Sequence, residues 1–124
     1  MRNIVAFIKR SLPNAKLVPI IIKDNLTGAQ ADDLAVKFSK ILPAGTIFAA
    51  SFDFSHYQTL EIANQHDEKS LAAVKNLDFA ATSNLETDSR PGLRVFLKLL
   101  SLEKLTNITV LGITDNNNII MVAI

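Results

Sequence analysis

Residues 16–22 read Lys-Leu-Val-Pro-Ile-Ile-Ile, a continuous apolar run rich in β-branched side chains. Such a run predicts a β-strand that is buried on both faces, as in a parallel sheet covered by helices. Pro19 has no backbone N–H, so it places this strand at the edge of a sheet or marks a bulge. Residues 46–52 form a second apolar run and predict a second buried strand.

Helical patterns precede, separate and follow these two runs. Residues 4–12 carry apolar side chains at the spacing of an amphipathic helix. Thr27 stands three residues before Gln30, which is a capping-box pattern, and the apolar stripe behind it predicts a second helix. Further helices are predicted over residues 60–76 and, with Pro91 in its first turn, from about residue 91.

The C-terminal residues predict an antiparallel pair of strands. Residues 107–113 and 119–124 are apolar and surround the turn Asp-Asn-Asn-Asn at 115–118. The predicted order α-β-α-β-α-α-β-β indicates an α/β fold, with a mostly parallel sheet flanked by helices and the antiparallel pair at one end. No linker or internal repeat divides the 124 residues, which predicts a single domain or one piece of one.

Composition excludes several classes of partner and site. Thirteen Lys and Arg residues against twelve Asp and Glu residues argue against nucleic acid as the main partner. The absence of cysteine excludes disulfides, cysteine-based zinc sites and thiol catalysis, and suits a reducing compartment. The longest apolar run, Leu17 to Ile22, is far shorter than the roughly 20 residues that span a bilayer. We therefore expect a cytoplasmic protein with neither a nucleic-acid nor a membrane partner.

The candidate site is the stretch Ser-Phe-Asp-Phe-Ser-His-Tyr at residues 51–57, where the second predicted strand ends. Ligands collect beyond the carboxyl ends of strands in open α/β sheets. Asp53 and His56 are close enough in a turn for the carboxylate to orient the imidazole, which could then act as general base, general acid or metal ligand. Ser55 and Tyr57 add hydroxyl groups. From spacing alone, Asp53 and Ser55 fit better as caps of the next helix, with His56 as a surface residue.

Two other polar pairs have structural and functional interpretations. His66 and Asp67 are adjacent on a predicted helix and point about 100° apart, which predicts a solvated face rather than a catalytic dyad. Asp88 and Ser89 precede the Pro91 helix and fit an N-cap pair. The functional alternative makes Asp88 an acid near a metal or substrate.

Together these segments resemble the Memo family, whose prokaryotic members are labelled AmmeMemoRadiSam system protein B. The resemblance is carried by Leu-Val-Pro-Ile-Ile-Ile at 17–22, the stretch 51–57, Ala63 and Asp67, and Asp-Ser-Arg-Pro at 88–91. It covers essentially this whole chain but only about the C-terminal half of a typical member. Residues 1–124 are therefore interpreted as a single partial Memo-like domain.

The resemblance implies a fold similar to class III extradiol dioxygenases, which are non-haem iron enzymes. It implies that Asp53 and His56 are candidate catalytic residues at a pocket, with Ser55, Tyr57 and Asp88 as candidate ligand-binding residues. Family members hold a metal with two histidines from the N-terminal half and a C-terminal residue, commonly cysteine. That half is missing here, and Asp88 lies near the cysteine position, so no complete metal site is expected. Iron or copper is implied as a cofactor only if the missing half is present.

Three functions remain open at this stage, and only one of them is catalytic. The first is a Memo-like domain fragment that binds a small ligand or a protein partner in a pocket around Asp53 and His56. The second is the C-terminal portion of a metal-dependent, non-haem iron dioxygenase-like oxidoreductase, and the third is a decayed reading frame. A family sheet cut in half would expose an edge and an apolar face, so self-association or association with the missing N-terminal half is expected.

Overall fold

A computed structural model describes residues 2–54, 60–113 and 119–123. This part of the chain is helix-rich. Its elements in chain order are α1 (Arg2–Ser11), α2 (Gly28–Ile41), α3 (Leu60–Lys75), a 3₁₀ helix (Ala81–Asn84), α4 (Arg90–Leu102), β1 (Ile108–Ile113) and β2 (Ile119–Ala123). No helix among these residues has the length and apolar character needed to cross a membrane.

The predicted α/β fold with a mostly parallel sheet is wrong. Within the described residues, the only sheet is the antiparallel pair of β1 and β2, with Ile108 opposite Ala123 and an irregularity between Val110 and Gly112. That pair confirms the predicted C-terminal strands. Residues 16–23 and 46–53 belong to neither a helix nor a strand. A strand exists only where a neighbouring strand supplies its hydrogen bonds, and none of the described segments does so here. The expected similarity to the extradiol dioxygenase fold is therefore contradicted.

Helix α2 begins at the capping box that the sequence predicts. The Gln30 N–H donates to Thr27 Oγ1 at 3.3 Å, and the Thr27 N–H donates to Gln30 Oε1 at 2.9 Å. These bonds satisfy two of the backbone groups that a helix N-terminus leaves unpaired. Ala31 and Ala35 are fully buried on the face that packs against α4. Their small side chains allow the two helices to approach closely.

Helix α4 forms the centre of the molecule because both of its apolar faces are buried. Its N-terminus is capped by Ser89, whose Oγ accepts a hydrogen bond from the Gly92 N–H at 3.2 Å. One face lies in a cluster with α3 and the 3₁₀ region, formed by Phe54, Ala73, Val74, Leu85, Leu93 and Leu97. The other face lies in a cluster with α2, formed by Ala31, Ala35, Val95 and Leu99.

Candidate functional site

The structure brings together two candidate residues that lie far apart in the sequence. The Asp88 N–H donates to the Asp53 carbonyl oxygen at 3.0 Å, and the Asp53 N–H donates to Asp88 Oδ1 at 3.3 Å. Next to them, Phe54 and Thr87 form an isolated antiparallel bridge. We call residues 53, 54, 87 and 88 the junction. Its two carboxylate residues border one site although 35 positions separate them.

The junction is anchored in the core by Phe54. This side chain is only 3% exposed and packs in the cluster that contains Leu93 and Leu97. Asp53, directly before it, is half-buried, whereas Asp88 is exposed. The backbone on both sides of the junction is thus fixed, while the Asp88 carboxylate lies at the surface.

Asp88 and Ser89 play different parts rather than acting as a pair of caps. Ser89 caps α4, as predicted. The Asp88 carboxylate accepts hydrogen bonds from the Asp53 N–H and, at 3.4 Å, from Thr87 Oγ1. Asp88 therefore ties the two arms of the junction together.

Three of the candidate residues fall outside the described part of the chain. Ser55, His56 and Tyr57 belong to residues 55–59, of which nothing is described. The predicted orientation of the His56 imidazole by Asp53 therefore stays a prediction.

Helix α3 turns polar side chains toward the interior, which the sequence interpretation missed. Asp67 is only 6% exposed, so the predicted solvated face is wrong for this residue. Ser70 is fully buried, and neither its Oγ nor the buried His66 Nδ1 has a hydrogen-bond partner among the described atoms. Asp67, Ser70 and Val74 follow one another at spacings of three and four, so one buried helix face was visible in the sequence.

A cleft of about 430 Å³ lies between the first turns of α2 and α4. Gly28, Arg90 and Arg94 line it together with Asp24, and Thr87 connects it to the junction. Arg90 Nε donates to the Leu85 carbonyl oxygen at 2.9 Å. Asp24 and Arg90 bring opposite charges to the lining of the cleft, and the guanidinium of Arg94 is held by an ion pair with Asp32.

The ion pair of Arg94 with Asp32 joins α4 to α2. Arg94 Nε and Nη2 each donate to one carboxylate oxygen at 2.8 Å, and Nη1 donates to the Phe79 carbonyl oxygen at 3.0 Å. The hydrogen bond from Arg94 holds the pKa of Asp32 below its ordinary value, against the opposing effect of partial burial. The same bond raises the pKa of Arg94. Arg94 thus has a structural role at the edge of the cleft.

Comparisons with known proteins identify no relative. No family model, curated protein or solved structure matches the chain. The resemblance to the Memo family, carried by residues 51–57 and 88–91, therefore stays a prediction. Within residues 2–54, 60–113 and 119–123, no three His, Asp or Glu side chains group as a metal ion would require.

Proposed function

We propose that this chain is a cytoplasmic, Memo-like binding domain that takes a protein partner on two exposed apolar segments, the second of which leads into the junction. These are residues 17–22 and 46–52, which we call the open segments. The resemblance supports a binding site around Asp53 and His56, and the absence of cysteine supports the cytoplasmic location.

The exposure of large aliphatic side chains is the observation that carries the proposal. Val18 and Ile21 are 75% and 76% exposed in the first open segment, and Ile47 is 76% exposed in the second. Complete burial of such a side chain is worth roughly 1.5–3 kcal/mol. A partner that covered all three would gain enough to offset part of the cost of association.

The second open segment has one packed face and one face available to a partner. Phe48 and Phe52 pack against the two core clusters, whereas Ile47, Ala49 and Ser51 are exposed. In an extended backbone Phe48 and Phe52 point to the same side, although Ala50 between them is exposed. The segment therefore has the side-chain pattern of a sheet edge on which another polypeptide can lie.

Apart from Thr46, whose N–H donates to the Pro43 carbonyl oxygen at 3.2 Å, the backbone of the open segments is also available for pairing. Among the described residues, no backbone hydrogen bond joins residues 17–22 or 47–52 to a partner. Unpaired N–H and C=O groups along an apolar segment favour the addition of a strand from another polypeptide.

The junction forms a polar end to the second open segment. The second open segment leads directly into Asp53, and the hydrogen bonds of the junction place Asp88 beside it. Carboxylates accept hydrogen bonds from N–H and O–H groups, so a partner with donors at this point would be aligned along the segment. The resemblance adds Ser55, His56 and Tyr57 to the same site.

Dye binding tests whether the open segments form an accessible apolar surface. The dilute chain should enhance the fluorescence of 1-anilinonaphthalene-8-sulfonate. The variants Ile21→Lys and Ile47→Lys should lower that enhancement, and they should leave the thermal midpoint nearly unchanged because both side chains are exposed. Ala72→Lys, at an exposed position on α3, is the matched control and should retain full enhancement. Equal dye binding by all four proteins would overturn the proposal.

A further inference from the structure

We propose that the partner of the first open segment is a second copy of this chain. Residues 16–24 of the two copies pair antiparallel about a two-fold axis at Ile20. This inference rests on the proposed function and names the partner of one of its two segments. Residues 16–23 contain no helix, turn or bend, so their backbone can enter a ladder without breaking an existing element, and Asp24, where a turn begins, is the last residue of the ladder.

Charge at the two ends of the segment selects the register. With Ile20 opposite itself, Lys16 lies opposite Asp24 of the second copy, and the two-fold axis repeats this pair at the other end. Both side chains are exposed in the single chain. A shift of one residue in one direction would place Lys16 opposite Lys23, and like charges directly opposite one another destabilise a ladder. A shift of one residue in the other direction would place Lys16 opposite Asn25 and lose the opposite-charge pair.

Pro19 fits the same register. Alternate residues of an antiparallel strand bond to the same neighbour, so a hydrogen-bonded pair at Ile20 makes Val18 and Ile22 bond to the second copy as well. The nitrogen of Pro19 then faces away from that copy, and its missing N–H costs the interface nothing. On the outer edge the same proline removes a donor that a third strand would need. The ladder is therefore limited to two chains.

The apolar side chains are self-complementary in this arrangement. Val18 of each copy lies opposite Ile22 of the other, and Ile20 meets its own copy on the axis. Val18 and Ile20 are 75% and 47% exposed in the single chain, so pairing can bury apolar surface of both side chains. In a two-fold symmetric interface of this type, both copies contribute the same surface patch.

Sedimentation velocity over the micromolar range tests the pairing. The full chain should sediment as a dimer. Ile20→Pro removes an N–H that faces the second copy and should yield a monomer. Ile21→Pro is the matched control, since its N–H faces away, and it should remain dimeric. Circular dichroism should show the same helical content in all three proteins.

Charge reversal tests the register itself. Lys16→Asp and Asp24→Lys should each weaken dimerisation, by roughly tenfold at low salt, because each places like charges opposite one another. The double variant restores opposite charges and should recover the dimer. A monomeric wild type, a dimer that survives Ile20→Pro, or a double variant that stays weak would overturn the inference. A monomer that still binds the dye through Ile21 and Ile47 would overturn only the self-pairing and leave the proposed function standing.

Discussion

Replacing Arg94 by glutamine should lower the free energy of unfolding by about 2 kcal/mol. Arg94 makes two charge-assisted hydrogen bonds to Asp32 at 2.8 Å and one bond to the Phe79 carbonyl oxygen. Buried charge-assisted bonds contribute about 1.5–3 kcal/mol each, whereas exposed ion pairs contribute about 0–1 kcal/mol. The side chains of Arg94 and Asp32 are 19% and 31% exposed, so the pair falls between these limits. The bond to Phe79 adds about 0.5–1.5 kcal/mol.

A double-mutant cycle in urea isolates the contribution of the pair. Unfolding of wild type, Arg94→Gln, Asp32→Asn and the double variant should give a coupling free energy of about 1–2 kcal/mol. The exposed pair of Lys37 and Asp33 is the control, since its side chains are 67% and 61% exposed. Its coupling should be about 0.3–0.5 kcal/mol. Equal coupling in the two cycles would refute the assignment of Arg94 as the clamp between α2 and α4.

The same pair should make stability depend on pH in the acid range. The pKa of Asp32 is lowered in the folded chain, mainly by its hydrogen bond from Arg94, so the unfolded state binds the proton more tightly. The stabilisation is then complete above the unfolded pKa of about 4 and is lost as the pH falls through the lower folded pKa. The stability difference between wild type and Asp32→Asn should be largest near neutral pH and shrink below about pH 4. A difference that grew on acidification would contradict this sign.

Three other substitutions test the core, the buried face of α3 and the junction. Leu93→Ala should cost about 2–5 kcal/mol in urea unfolding, because Leu93 is fully buried and its loss leaves a cavity. Ser70→Ala should leave stability unchanged or raise it by up to about 1 kcal/mol, because the buried Oγ has no described hydrogen-bond partner; a loss above that amount would show a bond that the structure lacks. Asp88→Ala should accelerate amide hydrogen exchange at Asp53, whereas Asp88→Asn, which keeps an acceptor oxygen, should not. Unchanged exchange in the alanine variant would mean that the junction is held by its other bonds alone.

The helices were predictable because their signals are local. Thr27 and Gln30 identify the start of α2, and Ser89 with Pro91 identifies the start of α4. Each signal involves backbone groups within one turn, so nothing distant can change it. Both helices begin within one residue of the predicted position for the same reason.

The parallel sheet was not predictable from the same kind of evidence. An apolar β-branched run such as residues 17–22 indicates that a segment favours burial and an extended backbone. It does not indicate which neighbouring segment supplies the hydrogen bonds of that backbone. That neighbour is a property of the whole assembly. In the described chain the run remains unpaired, so a correct local preference led to a wrong architecture.

The candidate site could be predicted from the sequence only in part. Spacing identified Asp53 and Asp88 separately, and each also had a structural explanation as a cap. Their proximity depends on the bridge between Phe54 and Thr87, which no periodicity in the sequence encodes. Asp67 shows the opposite failure, because its adjacency to His66 predicts a solvated face, whereas its alignment with Ser70 and Val74 indicates the buried face on which it lies.

The position of α4 late in the chain has a consequence for synthesis on the ribosome. Both core clusters depend on this helix, yet it begins only at Arg90, 49 residues after α2 ends at Ile41. At roughly 5–20 residues per second, translation leaves the face of α2 that carries Ala31 and Ala35 without its partner helix for at least about 2–10 s. The nascent chain is therefore a substrate for chaperones that hold apolar segments near the exit tunnel. A product terminated before residue 90 would assemble neither cluster and would be removed by proteolysis.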